Sequence, residues 1–308
     1  MKFDTQLNND HRKAVVALGT FDGVHRGHQQ LLNEAASLAA SHGSTSLVFT
    51  FDYPPEQWFK RRIQLLTDQA TKKRLILAQG IDEIVSTRFN QEFAEISAER
   101  FVVDILLEQL QAQVVICGFD YRFGHRADGD TSLLQEIGNR YGFAVRVIPP
   151  VIQDNQPISS SRIRMAIQEG KVEIASELLG RHHGYVGKVV AGKQLGRKLG
   201  FPTANITVDQ DLVLPKPAAY LTWCFLNDGA NYPAMTSVSP SGNIESHLFE
   251  YDGNLYQQTM EVLFLQKMRD WLKFTTKEEL QHQLGKDYEH AQALLAKYRL
   301  QGHEIVLK

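Results

Sequence analysis

The chain has 308 residues, which is enough for about two domains of ordinary size. Its 33 basic and 35 acidic residues leave a net charge of −2, so no overall field favours nucleic acid or an anionic membrane as a partner. A hydrophobic fraction of 43% is typical of a globular protein, and no stretch approaches the roughly 20 apolar residues that a membrane span needs.

The two cysteines and the first twelve residues bear on the compartment in which the chain works. Cys117 and Cys224 lie far apart, each in an apolar run, which predicts buried thiols rather than a disulfide or a metal site. Residues 1–12 are polar and lack the apolar core of a signal peptide. We therefore expect a cytoplasmic enzyme, of an oligomeric state that the sequence does not indicate.

Residues 14–150 alternate short apolar runs with amphipathic segments. Strands are predicted for the apolar runs at residues 14–18, 46–51, 83–86, 114–117 and 143–148. Helices are predicted between them, at residues 29–41, 67–79, 98–109 and 131–141. This alternation is typical of a doubly wound parallel sheet with helices on both faces, and such sheets bind ligands at the carboxyl ends of their strands.

The second half of the chain has a different pattern. Two short helices are predicted at residues 161–169 and 172–179, and each is followed by a glycine. Short β-like runs follow at residues 184–190, 220–226, 245–251 and 260–265, and residues 276–299 have a helical period. We therefore expect an α/β domain over residues 1–180 and a small β-barrel with a terminal helix over residues 181–308.

The most informative segment directly follows the first predicted strand. Residues 19–28 read Gly-Thr-Phe-Asp-Gly-Val-His-Arg-Gly-His. Glycines let the backbone approach a bulky anion, and the helix that follows directs its N-terminal N–H groups toward that anion. His25 and His28 are three residues apart, so they share one face of a first helical turn. The segment therefore predicts a phosphate site with two imidazole donors.

Three further clusters contain residue types that suit phosphates or cofactors. Residues 118–124, Gly-Phe-Asp-Tyr-Arg-Phe-Gly, follow a predicted strand. Residues 158–164, Ile-Ser-Ser-Ser-Arg-Ile-Arg, combine helix-capping hydroxyls with two guanidinium groups that suit a polyphosphate. Residues 187–205 are rich in glycine, lysine and arginine, which favours an anion- and metal-binding loop over a strand.

In this order, the clusters resemble those of the bifunctional riboflavin kinase/FAD synthetase family of bacteria. The resemblance runs from about residue 13 to about residue 298 and rests on Gly-x-Phe-Asp-Gly-Val-His-x-Gly-His, Ser-Ser-Ser-x-Ile-Arg and Gly-Phe-Pro-Thr-Ala-Asn. It implies an N-terminal FMN adenylyltransferase, which joins AMP from ATP to FMN and releases pyrophosphate. It also implies a C-terminal riboflavin kinase, which moves the γ-phosphoryl group of ATP onto riboflavin, with Mg²⁺ as the cofactor.

The resemblance also implies roles for residues of the adenylyltransferase. The implied catalytic residues are His25, His28 and Arg164. The implied nucleotide and phosphate ligands are Gly19, Phe21, Asp22, Gly27, Ser159, Ser160 and Ser161, and the flavin and nucleotide cleft is expected to contain Asp120 and Phe123. The phosphate of FMN is already anionic near neutral pH, so its adenylylation needs alignment and charge neutralisation rather than a general base.

In the kinase, the resemblance assigns a base, a metal site and a flavin site. Glu245 matches the family's general base, which the neutral riboflavin hydroxyl needs in order to lose its proton. Thr203 and Asn205 match the residues that hold Mg²⁺ and the nucleotide phosphates. The implied phosphate-binding residues are Gly192, Lys193 and Gly196, and the implied flavin contacts are Arg269 and Trp271.

Departures from the family concentrate in the flavin-contacting parts. Residues 51–55 read Phe-Asp-Tyr-Pro-Pro, without the histidine of the family's Phe-x-Pro-His-Pro. Residues 237–242 replace a longer loop of the kinase, and Trp271 stands where the family has glutamate. Two alternatives therefore remain open: an adenylyltransferase whose C-terminal domain is a weak or inactive kinase that binds flavin, and a flavin- or nucleotide-binding regulator without turnover.

Overall fold

The computed structural model describes residues 13–59, 63–192, 195–302 and 304–308. The chain divides into two compact units. The first takes its described residues from Met1–Ile63 and Thr67–Ser160, and the second takes them from Gln64–Leu66 and Ser161–Lys308. The functional boundary that the sequence indicates between residues 180 and 181 stays a prediction.

The first unit is built on a parallel sheet. Its strands are β1 (Ala14–Leu18), β2 (Thr45–Phe51), β3 (Glu83–Thr87), β4 (Ala112–Gly118) and β5 (Ala144–Ile148). They pair in the order β3-β2-β1-β4-β5, and every pairing is parallel. Val16 and Phe49 join one hydrophobic cluster, and Val15, Ala17 and Val48 join another, so both faces of the central strands are covered. The predicted doubly wound sheet is confirmed.

Helices and short elements connect these strands. They are α1 (Arg26–His42), α2 (Pro55–Trp58), α3 (Gln69–Leu77), α4 (Gln91–Ala94), α5 (Ala98–Arg100) continued by a π-helix over Phe101–Gln109, a 3₁₀ turn at His125–Ala127, α6 (Thr131–Tyr141), and the hairpin strands β6 (Ile152–Gln153) and β7 (Gln156–Pro157). Helix α1 begins three residues before its predicted start because His25 caps its first turn. Gly43, in the left-handed conformation, ends it.

The second unit contains a closed barrel. Its elements follow the helices α7 (Ser160–Gln168) and α8 (Val172–Leu179), and they are β8 (His183–Val190), α9 (Leu195–Lys198), β9 (Ala204–Thr207), β10 (Ala218–Leu226), β11 (Asn231–Val238), β12 (Ile244–Leu248), β13 (Thr259–Asp270), α10 (Lys277–Leu295), β14 (Tyr298–Gln301) and β15 (Glu304–Leu307). The barrel order is β10-β11-β12-β9-β8-β13. The predicted small β-barrel with a helix near the end of the chain is confirmed.

The structure corrects three details of the second half. Residues 187–205 are not one loop, because β8 runs to Val190 and pairs there with Asn205 of β9. Strand β11 was not expected from the sequence. The terminal helix ends at Leu295, and the hairpin of β14 and β15 follows it. Within the described ranges, no helix has both the length and the apolar composition that crossing a membrane requires.

Candidate functional site

The histidine turn lies at the carboxyl end of β1, at the start of α1. His25 is the N-cap residue of α1, with extended backbone angles, and its Nδ1 accepts a hydrogen bond of 3.3 Å from the backbone N–H of His28. The two imidazole rings stack with centroids 3.6 Å apart and planes 17° apart. Because Nδ1 of His25 accepts, the ring nitrogen that can donate is Nε2. Both imidazoles are therefore fixed at the positive end of a 17-residue helix.

The glycines and Phe21 give this turn its shape. A Cβ atom on Gly27 would lie 3.2 Å from Cε1 of His25, so a larger residue would press on the histidine ring. Phe21 is fully buried, and its ring packs against Gly19 on one side and meets the edge of His28 with centroids 5.3 Å apart. Phe21 and the two glycines therefore hold the imidazole rings in place.

Burial and neighbouring charge keep one of the two histidines, His28, neutral. Burial, together with the neighbouring charges of His25 and Lys72, holds the pKa of His28 well below its usual value. Asp22 is buried, and its carboxylate accepts a hydrogen bond of 3.4 Å from the backbone N–H of Thr67. A phosphate that enters this site meets the N-terminal N–H groups of α1, which favour an anion.

The serine-rich segment reaches the same turn through one residue. The Oγ atom of Ser160 donates a hydrogen bond of 3.0 Å to the carbonyl oxygen of Asp22. Ser159 is exposed next to it. Ser161 and Arg164 belong to the second unit, where Nη1 of Arg164 donates to Oγ of Ser161 at 3.5 Å. Their part in a site with the histidines stays a prediction.

The segment after β4 contributes an exposed carboxylate and a buried ring. Asp120 is exposed beyond the carboxyl end of the strand. Phe123 is only 6% exposed, and its ring packs against Phe101 and Tyr121 at 5.6 and 5.8 Å between centroids. Asp120 can reach a ligand directly, whereas Phe123 is part of the core beneath it.

The first unit also contains a cluster of aromatic rings, of which the sequence indicated only Phe51, in the segment at residues 51–55. Phe51 at the end of β2 and Phe59 both contact Phe89, which follows β3, with centroids 5.5 and 5.9 Å apart. Phe59 is 62% exposed and Trp58 is 48% exposed, so the cluster reaches the surface. Flat apolar surface at the carboxyl edge of a sheet suits a planar ring ligand. Phe59 and Phe89 come from other segments, so no local motif indicated them.

In the second unit, β9 and β12 bring the predicted kinase residues together. Glu245 is the register partner of Asn205, so their side chains share one face of the barrel wall. A Cβ atom on Gly192 would lie 2.3 Å from Nδ2 of Asn205, and one on Gly196 would lie 3.4 Å from Oγ1 of Thr203. The glycines therefore let the loop backbone lie directly against the candidate metal ligands. Lys193 lies outside the described residues.

A cavity of about 530 Å³ opens beside Thr203. Val189, Ala204 and Leu248 supply apolar lining, and Tyr251 adds an aromatic ring. Arg197 and Asp252 also line the cavity and contribute a positive and a negative charge. A cavity of this size with both apolar and polar lining suits a small molecule.

Arg269 and Trp271, the predicted flavin contacts, have different surroundings. The guanidinium of Arg269 donates from Nε and Nη2 to the two carboxylate oxygens of Asp287 on α10, at 2.8 and 2.5 Å. Asp287 is only 5% exposed, so this pair attaches α10 to the barrel. Trp271 follows β13 and is 37% exposed. The tryptophan is accessible to a ligand, whereas the arginine already has a structural partner.

Comparison with known proteins identifies the family. The family model described as FAD synthetase matches residues 7–162, and the model described as riboflavin kinase matches residues 179–295. The chain belongs to the bifunctional riboflavin kinase/FMN adenylyltransferase family. It carries both domains of that family and is an enzyme of FMN and FAD biosynthesis that acts on small molecules. The matches favour the bifunctional enzyme over an adenylyltransferase alone.

Relatives of this family match along nearly the whole chain. The bifunctional enzyme of Buchnera aphidicola subsp. Schizaphis graminum is 35% identical over 92% of this chain and 94% of its own length. The bifunctional enzyme of Pseudomonas fluorescens is 33% identical over 94% of this chain and 96% of its own length. A solved structure titled as a macrolide-efflux protein from Streptococcus pneumoniae has a TM-score of 0.84 at 30% identity, over 94% of this chain and 96% of that chain.

Proposed function

We propose that the stacked pair of His25 and His28 holds the ATP phosphates for adenylyl transfer. Their fixed geometry at the N-terminus of α1 is the observation that carries this proposal. As FMN attacks the α-phosphorus and pyrophosphate departs, negative charge grows on the phosphate oxygens. Imidazole and helix N–H groups stabilise that charge, as preorganised donors do in other enzymes. Ser160 lies beside the same turn, where its Oγ atom donates to the carbonyl oxygen of Asp22.

The aromatic cluster of Phe51, Phe59 and Phe89 supports a binding place for the isoalloxazine ring of FMN. These rings extend from the carboxyl ends of β2 and β3 to the surface. FMN bound there presents its phosphate toward the neighbouring end of β1, where the histidines lie. The reaction then needs no base, because the attacking oxygen of FMN is already anionic near neutral pH.

For the kinase, we propose Glu245 as the general base that takes the proton of the riboflavin 5′-hydroxyl. The support is its register pairing with Asn205, which sets a carboxylate beside the candidate phosphate and metal ligands. The cavity beside Thr203 has the size and apolar lining for the base of the nucleotide, and Arg197 suits its phosphates. Trp271 is exposed and available for stacking on the flavin.

Mg²⁺ fits the donors of this second site. The hydroxyl of Thr203 and the amide oxygen of Asn205 are hard oxygen ligands, and Mg²⁺ in such enzymes is held by few protein groups together with substrate phosphates. Consistent with that, the described residues contain no cluster of three or more His, Cys, Asp or Glu side chains for a metal. When bound, Mg²⁺ supplies charge neutralisation for the phosphates. The two buried free thiols fit a reducing compartment such as the cytoplasm.

Chromatography of the flavin products tests this proposal. The protein is incubated with ATP and Mg²⁺, with riboflavin in one tube and FMN in another. We expect FAD from FMN, and both FMN and FAD from riboflavin. FAD from FMN without any product from riboflavin would remove the kinase, and flavin binding without product in either tube would leave only a regulator.

A further inference from the structure

A buried lysine lies next to the histidine turn and has no part in the proposed adenylyl transfer so far. Lys72 on α3 is only 5% exposed. Its Nζ donates a hydrogen bond of 2.7 Å to the carbonyl oxygen of Phe51, the last residue of β2. The neighbouring Lys73 is exposed, as lysines on helices usually are. Burial of a lysine at the ligand-binding edge of a parallel sheet is unusual and requires a physical explanation.

Helix α3 is attached directly to the histidine turn. The backbone N–H of Gly23 donates to Oγ1 of Thr67 at 3.3 Å, and the backbone N–H of Thr67 donates to the carboxylate of Asp22 at 3.4 Å. Asp68 then caps the helix by accepting from the backbone N–H of Thr71. Lys72 is therefore held in a fixed position relative to the histidines by hydrogen bonds, within one compact unit.

The charge of Lys72 is only partly compensated. Among the described residues, Nζ has one acceptor for its three N–H bonds, and no carboxylate lies within ion-pair distance of it. Asp22 and Asp52 attract the ammonium from farther away, whereas Lys73 and burial itself oppose its charge and lower its pKa. The ammonium in turn lowers the pKa of His28, so its field reaches the phosphate site. A buried cation is costly unless an anion completes its coordination.

The position of Lys72 identifies that anion. Phe51 accepts the hydrogen bond of Lys72 and is also a member of the aromatic cluster assigned to the flavin ring. Lys72 thus contacts the strand end that carries the aromatic cluster, and its charge acts on one of the imidazoles assigned to ATP. Resting on the proposed adenylyl transfer, we propose that the Lys72 ammonium binds the phosphate group of FMN. It thereby makes this site select FMN over riboflavin, whose neutral hydroxyl cannot compensate a buried cation.

Steady-state kinetics of Lys72→Met test the proposal, with Lys73→Met as the matched control. Methionine keeps the apolar stem of the side chain and removes the charge. We expect the KM for FMN in FAD formation to rise about 10- to 100-fold, the size of effect that loss of charge-assisted hydrogen bonds gives. The KM for ATP changes much less than the KM for FMN, and the rate of riboflavin phosphorylation stays at its wild-type value. Lys73→Met behaves as wild type in every measurement.

Other results overturn the proposal in distinct ways. An unchanged KM for FMN, or a rise in the KM for ATP instead, would show that Lys72 does not hold the FMN phosphate. Equal rises in the KM for FMN and the KM for ATP would indicate that Lys72 has a purely structural role. A wild-type protein that makes no FAD from FMN would refute the proposed function, and this inference with it.

The pH dependence of the wild-type enzyme gives a test that does not depend on the folding of a variant. Loss of the Lys72 proton in the free enzyme should raise the KM for FMN above about pH 8, while the KM for ATP changes little. A KM for FMN that is constant between about pH 7 and 9.5 would contradict the assignment.

Discussion

Lys72→Met should stabilise the first unit in the absence of ligands, although it weakens FMN binding. Burial lowers the pKa of Lys72 from 10.5 to about 8, which corresponds to about 3 kcal/mol against folding while the side chain is charged. The substitution removes this cost and also the hydrogen bond to Phe51, which is worth about 1 kcal/mol. We therefore expect the free energy of unfolding of the first unit to rise by about 2 kcal/mol at pH 7. The substitution thus increases stability at the expense of activity.

The sign of the pH dependence follows from the lowered pKa. Below pH 8, Lys72 is charged in both the folded and the unfolded chain, so the cost of burying the charge is fully present. As the pH rises from about 8 toward 10.5, the folded form loses its proton first and the cost falls. The advantage of Lys72→Met should therefore be nearly gone by about pH 9.5.

Native-state hydrogen exchange, read by mass spectrometry on peptides from β1, β2 and α3, measures this gain. Wild type and variant are compared at the same pH, so intrinsic exchange rates nearly cancel. A gain of about 2 kcal/mol slows exchange about 30-fold at pH 7. Lys73→Met should leave exchange unchanged. If Lys72→Met exchanged faster than wild type at pH 7, Lys72 would stabilise the folded unit on balance. The argument that its buried charge needs a bound anion would then fail.

Three further substitutions test other parts of the structure. Gly192→Ala places a Cβ atom 2.3 Å from Nδ2 of Asn205, so riboflavin phosphorylation should fall at least about tenfold while FAD formation from FMN is unchanged in the flavin assay. Asp287→Asn removes the charged partner of Arg269 and should cost about 2 kcal/mol, seen as faster hydrogen exchange in α10. Phe59→Ala should raise the KM for FMN about 3- to 10-fold without changing that for ATP.

Elements with strong local signals could be predicted from the sequence. Strand β1 was predicted with its observed bounds because it is an uninterrupted buried apolar run. Helices α6 and α8 were also predicted with their observed bounds, since Gly142 and Gly180 end them in the left-handed conformation. His25 and His28 were singled out because glycines and a helix start surround them in one short segment.

Features that arise from tertiary packing could not be predicted in this way. Strand β11 contains Pro233 and polar residues, and its conformation is set by pairing with β10 and β12 on its two sides. Lys72 and Lys73 look alike in sequence, and only the packing of α3 against the end of β2 buries the first of them. Arg269 likewise gave no sign of its partner Asp287, which is 18 residues away on α10.

The presence of two separate active sites is tested most directly by measuring both flavin products for His28→Ala and Glu245→Gln under the same conditions. We predict that His28→Ala loses FAD formation from FMN by about 10²- to 10³-fold and forms FMN from riboflavin at the wild-type rate. Glu245→Gln should form FMN from riboflavin about 10²- to 10⁴-fold more slowly and should form FAD from FMN at the wild-type rate. Loss of both products in either variant, or an unchanged FMN yield in Glu245→Gln, would contradict the assignment.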